Sequence, residues 1–177
     1  QQAVLDSNWD QAVESLLALR KKDEAYRPVE IDGLLYLALR NRGREKIVQT
    51  DLEGGIYDLT LAANFVPLDS EAAVLLNWSQ LYITGASFWE IDWAKVVEYF
   101  SQIAPNMPNL MDSSKMTASE RLRLGLFNYG NTLAQQGQAC DAMRMYEQSL
   151  GIAPAAEVQS AYEQAAGRCG GGGGGGG

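Results

Sequence analysis

Three times along the chain a small or short apolar residue is followed four and seven positions later by apolar or small residues, and twelve positions later by a proline. The copies are Gly55, Leu59, Ala62 and Pro67; Val96, Phe100, Ile103 and Pro108; and Ala142, Tyr146, Ser149 and Pro154. A fourth, Ala12, Leu16 and Leu19, heads the chain without a proline at that distance, Pro28 coming four residues later. Steps of four and seven fall on one stripe of an α-helix, and proline ends such a helix because it lacks the amide donor and crowds the preceding turn. Alternating strand-like runs are absent, so the predicted fold class is all-α.

A second pattern with spacing i, i+3, i+4, i+7 precedes these helices. It reads Ile31, Leu34, Leu35, Ala38; then Trp78, Leu81, Tyr82, Gly85; then Leu126, Tyr129, Gly130, Leu133. A last copy, Val158, Ala161, Tyr162 and Ala165, follows the final proline. This alternation of two helix types, A and B, resembles the tetratricopeptide repeat (TPR), whose signature runs from an aromatic or Leu through Leu-Gly and an aromatic to Ala, an aromatic and Pro. Segment 126–154, LFNYGNTLAQQGQACDAMRMYEQSLGIAP, matches best: Gly130 stands where two helices approach, Gly137 in the turn, Ala142 at the start of B and Pro154 at its end.

The resemblance covers about residues 8–168 and implies a right-handed α-solenoid of about seven helices in one domain, 1–169. Its expected parts are a half-repeat at 8–27, repeats at 29–67, 69–108 and 118–154, and a terminal helix at 155–168, followed by the glycine tail 170–177. Corresponding B-helix residues lie 43, 41 and 46 apart, against about 34 in the family. The excess is expected between Ala38 and Gly55, around Trp78, and between Pro108 and Leu126, where Thr117-Ala118-Ser119-Glu120 is a helix-start signal.

Composition narrows the function. Net charge is −8 and the pI is near 4.5, which argues against nucleic acid or an anionic membrane as partner. The chain has no histidine, which removes His-based acid/base catalysis, the Ser-His-Asp and Cys-His arrangements and most transition-metal sites. With no nucleophile, metal or phosphate motif, no catalytic, cofactor-binding or metal residue is assigned and the chain is read as not an enzyme. No apolar run reaches the length of about 18 residues that a membrane span needs. The start at Gln1 without a methionine suggests a processed product or a fragment, any export signal having been lost upstream.

Cys140 opens the last B helix and Cys169 closes the terminal helix, which should run antiparallel to it. A disulfide between them would imply an oxidising, extracytoplasmic compartment, periplasmic or secreted; the alternative is two reduced thiols. The inner surface of a TPR solenoid is lined by A-helix residues off the packing stripe, here Asn128, Asn131 and Gln135. Such amides suit an extended peptide backbone; the alternative is a solvated polar face. Family members that grip a peptide carboxylate add lysines or arginines, which neighbouring A-helix positions lack.

The run Arg40, Arg42, Arg44, Lys46 reads as a solvated helix end, with a docking patch as the other reading. Trp89 is the aromatic expected to be exposed, and the Asn77-Trp78-Ser79 glycosylation acceptor falls inside a helix, which argues against occupancy. Asp23-Glu24 reads as solubilising. Free octaglycine is a flexible linker; the expectation set against it is a tail packed on another copy or a partner.

The chain starts with a B helix lacking an A partner and ends with an A-like helix lacking a B partner. Complementary ends suggest a self-assembling structural subunit, joined head-to-tail into an extracellular filament. The expected contact joins Trp9, Ala12, Leu16 and Leu19 of one copy to Val158, Ala161, Tyr162 and Ala165 of the next. The partner is then protein, chiefly other copies of the chain. The alternative is a monomeric adaptor that binds peptide in the A-helix groove.

Overall fold

The structure, a computed structural model, describes residues 2–5 and 8–170. The described residues form nine helices and no strand: α1 Gln2–Leu5, α2 Trp9–Lys22, α3 Pro28–Val48, α4 Leu52–Ala62, α5 Ser70–Ala86, α6 Trp93–Ile103, α7 Ala118–Gln135, α8 Ala139–Ile152 and α9 Ala156–Gly170. Eight coincide with A and B stripes of the sequence, one more than the about seven expected, and α1 is an additional single turn. Of the glycine tail only Gly170, the last residue of α9, is among the described residues; the tail's expected packing on a partner lies outside them.

Short side chains begin several helices by accepting an orphan amide of the first turn. Asn8 accepts from the Gln11 amide at 3.2 Å, Asp51 from Gly54 at 2.9 Å, Asp92 from Lys95 at 3.1 Å and Thr117 from Glu120 at 3.1 Å. The last is the start signal expected at 117–120.

The chain divides into two compact units, one of residues 1–83 and 111–115, the other of 84–110 and 116–177. In the first, α2, α3 and α4 fold back on one another across short turns. Ala12, Val13, Ala38, Leu39 and Ala62 form a core cluster, extended by Leu16, Ile31 and Leu35. The α3–α4 turn holds Thr50 at φ 73°, a left-handed conformation in which a β-branched residue is strained. Lys115 Nζ donates to the Thr50 hydroxyl at 2.7 Å. Helices α3 and α4 approach through glycine on both sides, since a Cβ built at Gly43 would lie 2.9 Å from Leu59 Cγ and 3.0 Å from the Gly55 carbonyl oxygen. This shifts the expected register: α3 is continuous from Pro28 and pairs with α4 through Gly43 and Ile47, beyond the Ile31–Ala38 stripe.

The basic run of α3 is drawn onto carboxylates, with Arg40, Arg42 and Lys46 half-buried and Arg44 exposed. Asp58 of α4 is fully buried and accepts from Arg42 twice, Nε at 2.8 Å and a terminal guanidinium nitrogen at 2.7 Å; Lys46 Nζ lies 2.8 Å away. Arg42 also reaches Asp10 of α2 at 3.2 Å, so one guanidinium ties three helices. Arg40 bonds Asp69 at 3.0 Å and Glu71 at 2.6 Å, and Arg44 lies 3.2 Å from Glu71. Arg40, the Ala72 amide and the Tyr36 hydroxyl together hold the Asp69 carboxyl well below the usual range. Sequence periodicity could not show this, because the carboxylates lie 12 to 32 residues away along the chain.

In the second unit, α7 and α8 form a hairpin on which α9 packs, and α6 packs on α7. Leu133, Ala142, Tyr146, Val158 and Ala165 form its core cluster. A Cβ at Gly130 would lie 2.5 Å from the Tyr146 ring, and one at Gly85 would lie 3.0 Å from the Phe100 ring. Buried Ser149 donates to the Arg123 carbonyl at 2.9 Å. Trp89, expected to be exposed, is half-buried: Arg121 lies 4.9 Å over its face and Trp93 meets it edge-on at 5.0 Å.

Gly130→Leu should overpack the α7–α8 contact, costing roughly 1–3 kcal/mol, and calorimetry should show a lower melting temperature. A variant melting with the parent would mean that Gly130 does not set this contact. Asp58→Ala leaves two cations facing a buried gap and should cost about 3 kcal/mol, at the low end for a broken buried pair because both cations retain some solvent contact. Asp10→Ala, which removes an exposed partner of Arg42, should cost less than about 1 kcal/mol; urea unfolding of both variants checks the contrast.

Candidate functional site

The second unit carries a groove of about 480 Å³ between α7 and α9, with α8 beneath. Asn131, Ala134 and Gln135 of α7 form one wall, while Ser160, Gln164 and Arg168 of α9 form the other, with Glu157 at one end. Tyr146 of α8 lines the floor and donates its hydroxyl to Asn131 Oδ1 at 2.8 Å. Burial pushes the Tyr146 phenol up, so it stays protonated and fixes the Asn131 carbonyl as its acceptor. Gly137, at φ 78°, makes the turn closing the near end, where glycine adopts the left-handed backbone without penalty.

Of the three expected groove residues, Asn131 and Gln135 line it and Asn128 does not. The Asn128 amide donates back along its own helix to the Leu124 carbonyl at 2.9 Å. The basic group looked for on A-helix positions of the third repeat is supplied instead by Arg168, at the far end of α9. The wall from α9 is not legible in the sequence pattern, which marks only the packing stripe Val158, Ala161, Tyr162 and Ala165 of that helix.

Cys140 and Cys169 lie at disulfide distance, with Cα atoms 4.9 Å apart. They sit one residue from groove residues Ala139 and Arg168. No helix among the described residues is long and apolar enough to cross a membrane, and no cluster of His, Cys, Asp or Glu there is placed to hold a metal ion.

The residues assigned to an end-to-end contact are mostly interior. Ala12, Leu16, Val158 and Ala165 are buried within their own chain, Trp9 and Leu19 pack against the first unit's core clusters, and Ala161 and Tyr162 pack against the second's. Trp9, Leu19, Ala161 and Tyr162 remain half-buried. The exposed residues of α9 are largely polar: Glu157, Ser160, Gln164 and Arg168 at the groove, and Gln159 and Glu163 outside its lining. In the glycosylation-type triplet, Asn77 is exposed but Ser79 is fully buried.

Comparison of the chain with protein-family models, with curated proteins and with solved structures finds no match.

Intact-mass measurement with an alkylating reagent checks the cysteine pairing. The unreduced chain should take up no alkyl group and the reduced chain two; uptake of two without reduction would exclude the bridge.

Proposed function

We propose that the chain is a non-enzymatic, TPR-like protein-interaction scaffold that binds an extended peptide segment in the α7–α9 groove. The groove carries this reading: amide and hydroxyl side chains of two helices face each other across it, with one guanidinium at the rim. Those groups match the donors and acceptors an extended backbone presents every few ångströms. The repeat reading is supported by a contact that recurs at nearly constant spacing, Gly43 with Leu59, Gly85 with Phe100 and Gly130 with Tyr146. An oxidising, extracytoplasmic location is proposed from the cysteine pair.

Head-to-tail self-assembly is the less supported reading, because Ala12, Leu16, Val158 and Ala165 of the expected contact are buried within their own chain. Selection of displayed random twelve-residue peptides against the oxidised chain tests the proposal. Gln135→Ala with Gln164→Ala should weaken the selected peptide at least about tenfold, equivalent to 1.4 kcal/mol. Leu17→Ala, on the exposed side of α2, should leave it unchanged. Equal binding to the double variant would remove the groove from consideration, and particle growth with concentration in light scattering would favour self-assembly.

A further inference from the structure

We infer that the Cys140–Cys169 pair is a redox gate on the groove: reduction releases the last turn of α9 and withdraws Arg168 from the rim. This rests on the reading of the groove as a peptide site. The buried anchors of α9 are Val158 and Ala165. Beyond Ala165 the helix continues through Ala166, Gly167, Arg168, Cys169 and Gly170, of which Gly167, Arg168 and Gly170 are exposed. Glycine is among the poorest helix formers, and a final turn without buried anchors frays. The covalent tie between this turn and the start of α8 is the cysteine pair, with Cα atoms 4.9 Å apart. Arg168 immediately precedes Cys169, so the bond that fixes the turn also fixes the guanidinium at the groove.

Cys140 is exposed, which gives a reductant access to its sulfur. With a dithiol as reductant, one thiolate attacks Cys140 Sγ, the Sγ–Sγ bond breaks, and Cys169 leaves as a thiolate that takes up a proton. The second thiolate of the reductant then attacks the mixed disulfide at the reductant's own sulfur, and Cys140 leaves and is protonated. The dithiol ends as a cyclic disulfide, two electrons and two protons having passed to the protein. Oxidation by a disulfide-bearing oxidant reverses each step.

Backbone amide hydrogen exchange and peptide binding are to be measured together on the oxidised chain, the dithiol-reduced chain and the Cys140→Ser/Cys169→Ser variant. The probe is the twelve-residue peptide selected against the oxidised chain. In both bridge-free forms, amides at 166–170 should lose protection at least about tenfold while 156–165 keep theirs. Peptide affinity should fall about tenfold, be restored in the reduced chain by reoxidation, and fall equally in oxidised Arg168→Ala. Unchanged protection at 166–170 would overturn the gate, as would loss of protection along the whole of α9, which would make the bridge a general staple. Protection lost at 166–170 with unchanged affinity would also overturn it while leaving the groove reading intact. If no peptide binds the oxidised chain, the groove reading itself fails and the gate with it.

Discussion

Close approach of paired helices at glycine is the constraint on which both units depend. Where Gly130 faces the Tyr146 ring, or Gly43 faces Leu59, the missing side chain lets a large residue of the partner helix lie against backbone. Dispersion contacts are short-ranged, so a gap of even half an ångström forfeits much of them. The large residue at each crossing is therefore fixed in position, and its neighbours are fixed with it. At the third crossing this has a direct chemical result: the ring that fills the space left by Gly130 also delivers the hydroxyl that orients Asn131. Packing and groove chemistry share one side chain.

The first unit adds an electrostatic constraint centred on Asp58. A carboxylate as buried as Asp58 is tolerable only with its lone pairs occupied, and Arg42 with Lys46 supplies that from one face of α3. The planar guanidinium matters because it meets both carboxylate oxygens and still extends to Asp10. The pairing of α3 with α4 is thus specified twice, by shape at Gly43 and Gly55 and by charge one helical turn away.

Much of the helix order was legible because the stripe of a packed helix repeats at short range. Residues such as Leu59, Phe100 and Tyr146 stood out by their spacing alone, and they are buried as that spacing implies. The register of the first pair was less legible. Ile31, Leu35 and Ala38 have helical spacing and are buried, yet they lie toward the α2 side of a helix whose contact with α4 is centred further on. Periodicity marks an apolar stripe without saying which neighbour it meets. The groove was half legible for a related reason. Asn131 and Gln135 lie on a face that the A-helix pattern leaves open, whereas Gln164 and Arg168 join them only once α9 has folded back across α8. The residues expected at an end-to-end contact also close the terminal helices onto their own chain, a second use that their spacing alone does not reveal.

The internal use of the α3 cations changes how copies of this chain meet in solution. With Arg40, Arg42, Arg44 and Lys46 drawn onto carboxylates of their own unit, that stretch of α3 is no basic counter-patch for the acidic surface of another molecule. The net charge of −8 acts between molecules as a repulsion over a range of about 8–10 Å at ordinary ionic strength. Colloidal behaviour should follow from this: good solubility near neutrality, closer approach as added salt shortens the screening length, and precipitation as the medium nears the pI of about 4.5.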